Sequence, residues 1–219
     1  AEIKITNMYG IFGVNEIPDW ASILLSVFTY TVIVNAFNLV DGLDGLAAGI
    51  GSISCLALGM WFYFAGAEDN AVLAISLAGA LIAFLIFNFE PARVFMGDSG
   101  SLTIGLIISV LSIKLIEYET SDLPANMLSI SKPIFAMAIL SYPLIDTLRI
   151  FIYRTINGQS PFSADRNHLH HNLMDLGYSH AKTVIIIYLF SIFMISMAAF
   201  SGIDKNLLFV ILSVFAVLS

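Results

Sequence analysis

Six uninterrupted apolar runs divide this chain, at roughly residues 20–39, 46–65, 71–89, 102–116, 133–153 and 184–201. A seventh, 207–219, reaches the last residue. Most are close to the ~20 residues that a helix needs to cross a ~30 Å hydrocarbon core. Inside a bilayer every backbone N–H and C=O needs an internal partner, which leaves helices and closed barrels. The runs are continuous rather than alternating, so helices are expected. The fold class read from them is an all-α polytopic membrane protein, a helical bundle of about seven transmembrane helices. Composition agrees: only 11% of the 219 residues are charged, where soluble domains carry about a quarter. A net charge of -7 with no basic patch excludes a nucleic-acid partner. The single cysteine, Cys55, excludes a disulfide framework.

Residues 1–18 precede the first run. Ile3 and Ile5 alternate with polar residues, β-branched or aromatic residues recur up to Val14, and Gly10 and Gly13 lie between. This pattern predicts a short extracytoplasmic β-hairpin. Pro18, Asp19 and Trp20 then open a helix, with Trp20 at interface depth. The chain begins at Ala1 without a signal peptide and stops inside an apolar run, so it is expected to be a piece of a longer protein.

The connections fall into two groups. Those around Glu68, from Glu117 to Ser131, and from Gly202 to Asn206 carry no recognisable motif. Those at 38–45, 90–101 and 154–182 carry clustered polar residues, and hold Arg93, Arg154, Arg166 and Lys182. An even number of spans separates each of these three from the next, so they meet on one side. The modest excess of Arg and Lys predicts that side to be cytoplasmic.

Asp98, in the stretch FMGDSGS, is a carboxylate where an apolar run meets water. A charge near hydrocarbon is costly, and such a residue usually faces a cavity, a partner or a metal. Ser99 and Ser101 are expected to cap the following helix. Asn38, Asp41 and Asp44 are spaced three apart, so on a continuing helix they share a face that can accept from a base or sugar, or hold a hydrated cation. Phe95 can stack on a planar base or anchor at the interface. Asp146 lies deep in a span with Arg149 three residues on, which predicts an intrahelical pair, and Pro143 predicts a kink. The hexapeptide RNHLHH holds Arg166, His168, His170 and His171; zinc binding and phosphate binding are both open to it.

Four segments, NAFNLVDGLDGLAAG, NFEPARVFMGDSGSL, PLIDTLRIF and SPFSADRNHLHHNL, occur here in the order found in the polyprenyl-phosphate N-acetylhexosamine-1-phosphate transferase family, which the chain resembles from about Ile3 to at least Lys182. The resemblance implies a magnesium-dependent phosphotransferase, with manganese an alternative, of a bacterial cytoplasmic membrane. It would move N-acetylhexosamine-1-phosphate, GlcNAc-1-phosphate in the branch whose form DRNHLHH matches, from the UDP-sugar to undecaprenyl phosphate, releasing UMP. The alternatives are the phospho-N-acetylmuramoyl-pentapeptide branch, or a non-catalytic transporter of lipid-linked sugars. By similarity Asp98 would ligate the metal. Asn38, Asp41, Asp44, Asn88 and Phe95 would form the uridine pocket, with Phe95 stacked on uracil. His168, His170 and His171 would hold the diphosphate or sugar, with Arg166 a further phosphate contact. Asp98, Asp41 and the three histidines are the candidate catalytic residues. The partners implied are the UDP-sugar, undecaprenyl phosphate and the lipid bilayer; a homodimer is compatible with them. Residues 1–219 would form one transmembrane transferase domain, the C-terminal portion of a longer family domain, with the hairpin at 1–18 and a cytoplasmic histidine loop at 154–182. The family's Asp-Asp-x-x-Asp motif is absent from this sequence and would lie before Ala1.

Overall fold

The computed structural model describes residues 3–9, 14–158 and 168–200. The apolar runs within them are helices. They are α1 (Asp19–Val40), α2 (Leu46–Phe64), α3 (Glu68–Asn88), α4 (Gly97–Ile116), α5 (Lys132–Ile139), α6 (Ser141–Ile156), the short α7 (Leu169–Asp175) and α8 (His180–Phe200). Five of them, α1 to α4 and α8, are long and apolar enough to cross a membrane, and α5 with α6 makes a sixth if the bent pair is one span. The expected seventh, at 207–219, lies outside the described residues. The protein is a multi-pass helical membrane protein.

The hairpin expectation is overturned. Among the described residues there is no strand, only an isolated bridge between Asn7 and Glu16. The segment is instead tied to helices. Ile5 N–H donates to Ser26 Oγ at 2.8 Å, the Ser22 hydroxyl donates to Ile5 O at 2.6 Å, and Tyr30 reaches Ile3 O. Buried serines on α1 thus take the backbone groups that a partner strand would otherwise satisfy. At the same end, Thr6 donates through both N–H and Oγ to the Glu117 carboxylate that closes α4. Alternation of apolar residues suits an extended segment lying along a helix as well as it suits a sheet.

The core is built on α2, most of whose faces are covered; α3 and α1 keep most of their surface outward. The α2 sequence explains this. Ala47, Ala48, Gly49, Gly51, Ser52, Ser54 and Gly59 form small-residue tracks that let neighbouring helices approach closely. Leu58, Trp61 and Phe62 fill the rest of the interior. The helices α1 and α3 are apolar all round, as expected of lipid-facing spans.

The 133–153 run is broken, bending by 73° between α5 and α6. The break falls at Leu140, not at Pro143. Pro143 has no N–H and so cannot bond the carbonyl of Ile139 one turn earlier. The Ser54 hydroxyl of α2 donates to that oxygen instead, at 3.3 Å. Proline therefore sits in the first turn of α6, and the bend lies just ahead of it.

Candidate functional site

The chain passes back and forth so that residues 41–45, 89–96 and 168–179 lie at one end of the bundle, opposite the N-terminal segment. At that end α1 finishes and α4 begins. Asn38, in the last turn of α1, donates from Nδ2 to Asp98 Oδ1 at 3.2 Å and to Ser101 Oγ at 3.0 Å. Asp98 is exposed, in the first turn of α4. Asp41 is half-buried beside it. Desolvation raises the Asp41 carboxyl above its usual range, the Gly97 N–H opposes this, and the Asp98 charge adds to the rise. Two carboxylates therefore share one patch, and the charge on Asp98 makes Asp41 harder to ionise. The serines do not cap α4: its first residues have no side-chain cap, and Ser101 is buried against Asn38.

Asp44 and Asn88 point inward. Asp44 Oδ2 accepts the Ala92 N–H at 2.9 Å. Asn88 is 4% exposed; its oxygen accepts the Gly45 N–H and its amide donates to Val94 O. These two residues knit the 41–45 turn to the 89–96 loop. Glu90 accepts the Ala181 N–H at the start of α8. Phe95 is 75% exposed at the edge of this surface, a ring with an open face.

The histidines complete the same end. Asp146, 1% exposed on α6, accepts from His168 Nδ1 at 2.8 Å and from the Leu169 N–H at 2.7 Å. The second bond satisfies the otherwise orphaned first donor of α7. The expected Asp146–Arg149 pairing is thus replaced: both oxygens serve the histidine segment. His168 and His170 stack with ring centres 5.3 Å apart, and His170 and His171 lie 4.3 Å apart. His170 is fully buried, with Nδ1 3.4 Å from the Tyr142 hydroxyl. Its Nε2 has no hydrogen-bond partner among the described residues. That nitrogen faces the first turn: a Cβ on Gly42 would lie 3.1 Å from it. Burial lowers the His170 pKa to about 4, so the ring is neutral at pH 7.

Asp41, Asp98 and His170 thus belong to one end of the bundle, with Gly42 bridging the first and third segments and Gly97 the first and second. Arg166 lies outside the described residues.

Residues 1–116 match glycosyl transferase family 4. The chain belongs to this family. It is 40% identical over 195 residues to the decaprenyl-phosphate N-acetylglucosaminephosphotransferase of Mycobacterium tuberculosis, covering 82% of this chain and 47% of that protein. It is 30% identical over 198 residues to the undecaprenyl-phosphate alpha-N-acetylglucosaminyl 1-phosphate transferase of Escherichia coli K12, covering 86% of this chain and 50% of that one. The chain spans about half the length of these curated relatives.

In this glycosyl transferase family 4 chain, sequence reasoning missed Asp146 and Tyr142 as members of the histidine cluster. The signal was present, since a carboxylate deep in a span demands a partner. The nearest cation in sequence, Arg149, drew the assignment away from a partner 22 residues on. Asp146, His168 and His170 offer ligand atoms within 4.8 Å of one another, a spacing able to seat a metal ion. Two imidazoles and one carboxylate form a donor set suited to a transition metal rather than to magnesium.

Proposed function

We propose that the full-length protein transfers N-acetylhexosamine-1-phosphate, specifically GlcNAc-1-phosphate, from the UDP-sugar to undecaprenyl phosphate. In the step, an oxygen of the lipid phosphate bonds to the sugar-bearing phosphorus as the bond to UMP breaks, so one diphosphate linkage replaces another. The single observation that carries this reading is the meeting of the Asp41, Asp98 and His170 segments at one end of a membrane bundle, where a water-borne nucleotide and a membrane-borne acceptor would both reach. The similarity to transferases named for that chemistry supports it. The same reading assigns this end to the cytoplasmic side of a bacterial inner membrane.

Magnesium fits the Asp41–Asp98 patch. Its donors are carboxylate oxygens at a water-accessible edge, the type and number that a hard, partly hydrated dication takes. The mutual repulsion of the two charges would be relieved by it. When bound, such an ion neutralises diphosphate charge and stabilises the departing UMP. The chain's own residues do the positioning. Asn38 orients Asp98, and Asp44 and Asn88 fix the turn that presents Asp41. Asp146 accepts from His168 Nδ1, which fixes the tautomer and leaves the Nε2 lone pair free to take up a proton. His170 brings a neutral, desolvated nitrogen to the same side. Phe95 offers its open face to uracil.

A transporter reading would use the break between α5 and α6, since broken helices mark transporter binding sites. Here the exposed carbonyl at the break is covered by Ser54 inside an apolar core rather than offered to a ligand. The test is UMP release by the purified full-length protein from UDP-GlcNAc, with undecaprenyl phosphate and Mg²⁺. Release dependent on both lipid and ion is expected. Binding of UDP-GlcNAc without UMP formation under those conditions would overturn the proposal.

A further inference from the structure

Tyr188 lies on α8, outside every motif, yet it reaches the first motif. Its hydroxyl donates to the Gly45 carbonyl at 2.5 Å. Its ring occupies a notch that only glycine leaves: a Cβ on Gly49 would stand 1.8 Å from the Tyr188 oxygen and 2.0 Å from Cζ. Gly45 has φ +81°, a left-handed conformation that makes the sharp exit from the turn into α2. Its peptide groups are gripped on both sides. Asn88 takes the N–H, while Tyr188 shares the carbonyl with the helical N–H of Gly49.

The contacts close a circuit. The 41–45 turn is bonded to Asn88, and Asp44 to Ala92. Glu90 of the same loop accepts from Ala181 at the start of α8. Two helical turns later α8 returns to the turn through Tyr188. Among the described residues, the other links lie in or beside a motif loop, whereas Tyr188 reaches the turn from within α8.

We infer that Tyr188 is a positioning residue for UDP-sugar binding, holding the 41–45 turn in the shape that presents Asp41 to the nucleotide. The inference rests on the proposed function and deepens it. Tyr188→Phe keeps the ring in the notch and removes only the hydrogen bond. Gly49→Ala keeps the hydroxyl but expels the ring, and so loosens the same turn by another route.

The test uses the full-length protein with two readouts. Amide hydrogen exchange of residues 41–46 does not depend on activity. In Tyr188→Phe it is expected to quicken about tenfold, the scale of one hydrogen bond. In the UMP-release assay, KM for UDP-GlcNAc is expected to rise about fivefold with kcat within about twofold, the signature of lost uniform binding. Gly49→Ala is expected to share that split. Unchanged exchange in Tyr188→Phe, or a fall in kcat at constant KM, would overturn the inference. Should the wild-type protein release no UMP, the functional reading falls, and faster exchange in the variant would then have to be matched by weaker UDP-GlcNAc binding for Tyr188 to keep its role.

Discussion

Asp146→Asn is the substitution from which most can be learned. The carboxylate is 1% exposed and accepts two bonds, from His168 Nδ1 at 2.8 Å and from the Leu169 N–H at 2.7 Å. Asparagine has nearly the same shape but only one acceptor oxygen. If that oxygen keeps the Leu169 N–H, the amide turns its NH₂ toward His168. The imidazole must then accept at Nδ1, which moves its proton to Nε2 and removes the outward lone pair. If the oxygen keeps His168, the first N–H of α7 faces an NH₂ and is left unmet, at a cost of about 1–3 kcal/mol. Either outcome has a readable consequence. Proton-transfer groups of this kind contribute about 10²–10⁴-fold, so UMP release in the full-length protein should fall by that order, chiefly in kcat. Thermal unfolding in detergent reports the second outcome as a loss of about 1–3 kcal/mol. Turnover within threefold of wild type, together with wild-type stability, would refute the claim that Asp146 sets the state of His168.

Three further outcomes are expected. Asp98→Asn should abolish UMP release at ordinary Mg²⁺ while leaving the fold intact, since Asp98 is exposed and its bond to Asn38 can be replaced by an amide; retained turnover would remove its metal role. His170 is held neutral by burial, from 6.5 down to about 4, so the unfolded chain takes up a proton in that window that the folded chain refuses. Its contribution is intact above pH 6.5 and is lost as pH falls toward 4, by up to roughly 3 kcal/mol. Melting temperature between pH 7 and 4.5 should drop more steeply in wild type than in His170→Asn. Ser54→Ala removes the donor to the Ile139 carbonyl at the α5–α6 bend and should destabilise the protein by about 1 kcal/mol, measured by thermal unfolding, with little change in KM.

The helices were readable because each apolar run satisfies its own backbone, whatever it packs against. The same independence made the one-sided meeting of the loops an outcome of counting spans. The hairpin was misread because Ile3 and Ile5 alternate as they would in a strand. Nothing local to them says that Ser22 and Ser26 will take the place of a second strand. Pro143 announced a bend without saying on which side of itself the bend would fall; Ser54, from another helix, makes the break before it tolerable.

The sequence by itself determined that the chain is a set of bilayer-spanning helices, and it put most of the candidate site residues in or beside three connecting segments. Hydrocarbon demands long apolar stretches and drives most carboxylates and imidazoles to the ends, with Asp146 a buried exception that needs a partner. Tertiary structure alone decided the partners. Asp146 chose His168 over the nearer Arg149, Asn88 chose Gly45, and Tyr188 chose the carbonyl of the same glycine. A buried polar atom bonds to whatever the packing brings within about 3 Å, and proximity along the chain has little say in that once the helices have packed.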